Sequence, residues 1–142
     1  MKTILHLSDP DIFIKRWIES NIYHFKKVYL VCFFEDKIRA EKCKINLISN
    51  VEIIYLKYSK PYGYLLNVFE LKKVIKKIKP DILHAHYATG MGTLGRLCNF
   101  DGIKILSILG SDVLLASSKN KLFRFFVRKN LENYNHLFYT SK

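Results

Sequence analysis

Residues 64–87 read YLLNVFELKKVIKKIKPDILHAHY, and how they are read decides the fold. Leu65, Val68, Phe69, Leu71, Val74, Ile75 and Ile78 recur at helical spacing, while Lys72, Lys73, Lys76, Lys77 and Lys79 fill the other face. That period buries one stripe of a helix and predicts a helix over Tyr64–Lys79. Pro80 stops it, because proline has no N–H to donate and its ring clashes with the preceding turn. Asp81–Ala85 (DILHA) then reads as a short buried strand. An amphipathic helix running through a stop into a short apolar strand is the closing half of a β-α-β unit.

The same alternation extends in both directions. Strands are expected at Thr3–Ser8, Val28–Phe33, Val51–Leu56, Ile103–Ile108 and His136–Tyr139. Helices are expected at Ile12–Phe25, Asp36–Ile48 (weakly patterned), Met91–Phe100 and Lys119–Glu132. Strands separated by helices of this length give a parallel sheet with helices on both sides. The expected fold is α/β: one Rossmann-like, doubly wound parallel sheet of about six strands in three layers, formed by residues 1–142 as a single domain.

Composition supports a folded globule. The chain has 142 residues, 49% of them hydrophobic, and a domain of that length buries roughly 68–70% of its unfolded surface. Apolar runs such as Val28–Phe34 are far shorter than the ~20 residues of a membrane span, and Thr3–Leu7 is too short for a secretory leader. A cytoplasmic location is expected. Cys32, Cys43 and Cys98 are odd in number and form no C-x-x-C pair; Cys32 and Cys98 read as small buried hydrophobes in a reducing compartment.

Charge is less decisive. Twenty-four Lys and Arg stand against twelve Asp and Glu, a formal +12. Such an excess attracts anionic partners, but abundant Lys, Ile, Asn, Phe and Tyr also fit an AT-biased coding sequence. Lys72–Lys79 and Lys119–Lys129, the latter interleaving Phe123, Phe125 and Phe126 with Arg124 and Arg128, are candidates for docking on an anionic membrane surface. They are equally the solvated edges of core-packed helices. Nucleic acid is not an expected partner: the aromatics fall in strands or on apolar helix faces, and no nucleic-acid-binding motif is present.

In open parallel sheets ligands bind beyond the carboxyl ends of the strands. Three such ends carry polar or glycine-rich sequence: Ser8-Asp9-Pro10-Asp11, His84 through Gly92, and Leu109-Gly110-Ser111-Asp112. Gly90-Met91-Gly92 opens a helix, where free N–H groups and the helix dipole favour an anionic group. An ordinary glycine turn is the alternative. Gly90, Gly92 and Gly95 match G-x-G-x-x-G, but they follow the fourth strand rather than the first, so no dinucleotide cofactor is expected. Ser111 or Asp112 can cap the next helix, or Asp112 can face the cleft and bind a sugar hydroxyl. His84 and His86 lie two apart on an extended segment and point the same way. No third ligand is near in sequence, so no metal is expected. One histidine is read as structural, and the other, His86, as facing the cleft.

Lys79-Pro80-Asp81-Ile82-Leu83-His84-Ala85-His86-Tyr87, with Gly90, Gly92 and Gly95 and then Ile108-Leu109-Gly110-Ser111-Asp112-Val113, resembles the N-terminal domain of family 4 glycosyltransferases. Leu5-His6-Leu7-Ser8-Asp9 followed by Arg16-Trp17-Ile18 resembles a subset of that family. The resemblance implies half of a GT-B fold. It also implies retaining transfer of a sugar from a nucleoside-diphosphate sugar to a surface glycan or lipid-linked acceptor. Carried over, Asp112 and His86 would be the catalytic candidates, and Ser8, Asp9, Gly90, Gly92, Gly110 and Ser111 the substrate-binding ones. Three departures stand out. Leu109 occupies a place where many relatives have His or Trp. The loop after the first strand lacks their glycine pair. No two glutamates stand eight apart, so the donor nucleotide is expected to be bound outside this chain, on a C-terminal domain or partner chain, and the chain alone is expected to be inactive.

Overall fold

A computed structural model describes every residue except 119 and 140–142, together with all side chains but those of 115–119 and 140–142. Lys119, expected to open the last helix, lies outside the described residues.

The order is β1 (Lys2–Leu7), α1 (Ile12–Asn21), β2 (Phe25–Phe33), α2 (Lys37–Lys42), β3 (Val51–Leu56), α3 (Gly63–Leu66), α4 (Val68–Ile78), β4 (Ile82–His86), α5 (Gly90–Leu97), β5 (Ile103–Ile108), α6 (Ser111–Ser118), α7 (Lys121–Asn133) and β6 (His136–Tyr139). The six strands form one sheet in the order β3-β2-β1-β4-β5-β6, and every pairing is parallel. The expected Rossmann-like α/β sheet is therefore the observed one. The order reverses between β1 and β4, whose register pairs His6 with His84 and Leu7 with Ala85.

Period-two alternation sorts the core into two halves. Leu5, Leu7, Leu83 and Ala85 face one side with Leu71 of α4, Leu94 of α5 and Val127 of α7. Ile4, Val28 and Leu30 face the other with Ile14 and Ile18 of α1. Burying each of the Leu, Ile and Val side chains stabilises the fold by about 1.5–3 kcal/mol. Cys32 and Cys98 are buried free thiols as expected, and burial pushes them up to about 12 and about 11.

Helix boundaries differ from the sequence reading for local reasons. The helix expected over Tyr64–Lys79 is interrupted at Asn67. This fully buried side chain accepts from Tyr58 N–H at 3.1 Å and donates to Tyr58 C=O at 2.8 Å, and so fastens the loop after β3. Leu65 and Phe69, expected on the apolar stripe, are exposed. The stretch 36–48 holds the six-residue α2, which ends before Lys44 in the left-handed region, φ 57°, and then a single 3-10 turn over Ile45–Leu47. Asn120 caps α7 by accepting from Phe123 N–H at 2.9 Å, and α6 is a helix the sequence reading did not separate.

Candidate functional site

The loops after β1, β3, β4 and β5 meet at the carboxyl edge of the sheet. After β1, Ser8 is buried and turned inward: its N–H donates to Val31 C=O at 3.3 Å and its hydroxyl to Asp9 C=O at 3.0 Å. Asp9 Oδ1 lies 2.8 Å from Lys60 Nζ, which also reaches Asp36 Oδ2 at 3.3 Å. Asp11 caps α1 by accepting from Ile14 N–H, and receives the Tyr87 hydroxyl at 3.4 Å. Burial pushes the Asp36 carboxyl up, against the opposing pull of Lys60. Burial works to lower the Lys60 ammonium, but its hydrogen bond and charge pairing with Asp9, with Asp36 behind, leave it raised. Lys60 thus holds the β1, β2 and β3 loops together as one partly buried charge group.

Beside this group is a cavity of about 450 Å³. Tyr64, Leu65, Phe126 and Val127 supply much of its apolar wall, and Thr89, Gly90, Ser111 and Asp112 bring the β4 and β5 loops to it. The Tyr64 phenol is pushed up to about 12, first by burial and then by the Asp9 charge, so it stays a neutral wall at physiological pH. A Cβ on Gly90 would run into the Tyr64 ring, so glycine here lets helix α5 start against α3. Gly110 has φ +82° with open space around its Cβ position, the conformation that lets the chain turn from β5 into α6.

The loop between β4 and α5 is gripped on both sides. Asp112 Oδ2 accepts from Ala88 N–H at 2.6 Å and Oδ1 from Val113 N–H at 3.1 Å. Asn130, fully buried on α7, donates to Ala88 C=O at 2.9 Å and Thr93 Oγ1 at 2.8 Å, and accepts from Arg96 Nε at 2.8 Å. Asp112 is therefore at the cavity, with both oxygens engaged by backbone. Ser111 is exposed there, at the first residue of α6.

Two expectations need correction. Gly92 is buried and off the cavity: a Cβ would stand 2.9 Å from Tyr87 C=O, so its role is close packing. The N–H groups of Gly92 and Thr93 are spent on Tyr87 and Thr89 carbonyls, which leaves a smaller anion-binding terminus than Gly90-Met91-Gly92 suggested. His86 does not face the cleft. Its ring is fully buried against Trp17, His84 and His6, because odd and even positions of β4 point to opposite faces and His86 shares the α1 face with His84.

The site thus brings together Asp9, Gly90, Gly110, Ser111 and Asp112 at one edge, with Ser8 beneath them. A sequence model of the glycosyl transferase 4-like family matches residues 3–141. The chain belongs to the glycosyl transferase 4-like family. No curated protein matches it. The matched region spans nearly the whole chain, and the cavity lies where α/β sheets of this topology bind ligands. Sequence reasoning missed Lys60, Tyr64 and Asn130. Each stands on an element distant in the chain, and only a mid-helix asparagine such as Asn130, a poor helix former, could have hinted at a buried role.

Proposed function

We propose that this glycosyl transferase 4-like chain forms the acceptor side of a retaining glycosyltransferase. The reaction is transfer from a nucleoside-diphosphate sugar to a glycan or lipid-linked acceptor. The observation that carries this reading is the cavity: an apolar wall of Tyr64, Phe126 and Val127 next to the polar edge of Ser111 and Asp112. An acceptor with an apolar part and a hydroxyl-bearing head fits that division. Ser111 is assigned to contact the sugar, and Asp112 is a positioning residue that fixes Ala88 and the start of α6. Rate enhancement would come from holding the acceptor hydroxyl in line with the donor. Stabilising the departing diphosphate falls to residues outside these 142. The site of action inferred is the cytoplasmic face of a membrane; no helix among the described residues is long and apolar enough to cross one.

Calorimetry with short-chain alkyl glycosides tests this. The chain binds them, and Phe126→Ala weakens binding about tenfold, near the ~1.4 kcal/mol expected from a lost apolar contact. No binding, or binding that ignores Phe126, overturns the assignment.

A second reading, docking on a partner domain or an anionic membrane, is supported by α7. Lys121, Arg124, Arg128 and Lys129 are exposed along it beside exposed Leu122 and Phe125, although Arg128 and Lys129 already pair with Glu132. Co-sedimentation that rises with the acidic lipid content of vesicles supports docking, and indifference to that content removes it.

A further inference from the structure

His6, His84 and His86 are fully buried on the α1 face of the sheet, in positions where the adjoining residues Ile4, Val28 and Leu30 are apolar. The third member comes from β1, in register with β4, which is why the His84-Ala85-His86 spacing alone did not reveal it. Each ring offers one ligand nitrogen, and the three lie within 4.8 Å of one another. His6 Nε2, His84 Nδ1 and His86 Nδ1 are buried with no hydrogen-bond partner. A buried polar atom left unpaired costs about 1–3 kcal/mol; because His6 and His86 share a proton through their other nitrogens, one of the three is an N–H and the rest are open lone pairs, a cluster that calls for an occupant.

We propose that His6, His84 and His86 form a buried site for a borderline divalent cation of the Zn²⁺ class. Imidazole nitrogen is a preferred ligand for such ions, and ligation requires the neutral ring. Burial holds all three rings neutral by lowering their pKa values. The outer contacts suit the role. Ser107 Oγ lies 2.7 Å from His84 Nε2; with that nitrogen carrying the proton, the lone pair sits on the unpartnered Nδ1. A second hydrogen bond that fixes the ring in this way is the usual support of a metal-bound histidine. His6 Nδ1 and His86 Nε2 share one proton at 3.0 Å; a cation held by these two nitrogens and His84 Nδ1 replaces that hydrogen bond, and the shared proton moves to the far nitrogen of the donating ring. Ligands at ~2.0–2.1 Å from a tetrahedral ion sit about 3.3 Å apart. Rings whose nitrogens spread over as much as 4.8 Å must therefore draw closer on binding, with a water in the fourth position. Trp17, 4.6 Å from His6 and 5.0 Å from His84 between ring centres, roofs the cluster.

Because the cluster is closed, metal should enter during folding. The 142-residue chain, stripped with chelator and unfolded in urea, is refolded with and without Zn²⁺ and then desalted. The expected result is one equivalent of Zn²⁺ retained per chain and a higher urea midpoint. His24→Ala/His136→Ala, which removes the two exposed histidines, keeps the metal, and His84→Gln loses it. If His84→Gln does not fold, the visible spectrum of Co²⁺-refolded wild type decides. Tetrahedral bands without a thiolate charge-transfer band support the site, because Cys32, Cys43 and Cys98 are the competing ligands. No retained metal, metal lost with the exposed histidines, or a thiolate band overturns it; the first result assigns the cluster to a trapped water instead.

Discussion

Lowering the pH from 7 to 5 should destabilise the chelator-treated protein sharply, through the three core histidines. Burial lowers His84 to about 3, and lowers His6 and His86 well below their ordinary value, with the neighbouring imidazoles adding to the effect. In the unfolded chain a histidine titrates near 6.5. Below that pH the unfolded state binds protons that the folded state refuses, so the stability present above 6.5 is lost as pH falls toward the folded pKa. At pH 5 the gap is about 1.5 units, and each unit is ~1.4 kcal/mol, so His84 alone costs roughly 2 kcal/mol. His6 and His86 act in the same direction. Against a typical total of ~5–15 kcal/mol, this is a large share. Urea denaturation at pH 7, 6 and 5 reads it: with a slope of about 1–3 kcal/mol per molar, the midpoint falls by about 1 M or more. Histidine ring NMR gives the microscopic check. A midpoint unchanged between pH 7 and 5, or any of the three rings titrating near 6.5 in the folded protein, would show that the three histidines are not held neutral by burial.

Three substitutions test the packing that shapes the site. Asn130→Leu strands Ala88 C=O, Thr93 Oγ1 and the Arg96 guanidinium; a loss of about 2–4 kcal/mol is expected in urea denaturation. Asp112→Asn leaves one oxygen for two backbone N–H groups, so hydrogen exchange at Ala88 or Val113 should accelerate, with a cost of about 1–3 kcal/mol. Gly95→Ala places a methyl against the Tyr134 hydroxyl, with Leu7 and Leu83 behind it. Tyr134 then gives up its 2.8 Å bond to Gly92 C=O, and a loss of about 1–3 kcal/mol, with altered tyrosine fluorescence, follows.

The sheet was legible because buried parallel strands and amphipathic helices carry different periods. Val28–Phe33, Val51–Leu56, Ile103–Ile108 and His136–Tyr139 lie within or coincide with observed strands. The interruption at Asn67 was not, since the apolar period runs through it and only its side-chain bonds to Tyr58 reveal the break. At the site, Gly110-Ser111-Asp112 was legible from strand-end placement. Lys60 was not, because its partners Asp9 and Asp36 are 51 and 24 residues away in the chain, separated from it by two crossovers and by one. His86 was misplaced because spacing gave its direction relative to His84 but not which face that was. The phase of Leu5-His6-Leu7 against Leu83-His84-Ala85 was the available signal, with leucines toward one half of the core and histidines toward the other.

We propose that this glycosyl transferase 4-like chain presents an acceptor site at the edge formed by the β4 and β5 loops. Amide chemical-shift mapping of the labelled chain, titrated separately with an alkyl glycoside and with uridine diphosphate, tests it most directly. The glycoside is expected to shift Thr89, Gly90, Ser111 and Asp112 while the nucleotide leaves them in place. Nucleotide-induced shifts at those residues with none from the glycoside would contradict it.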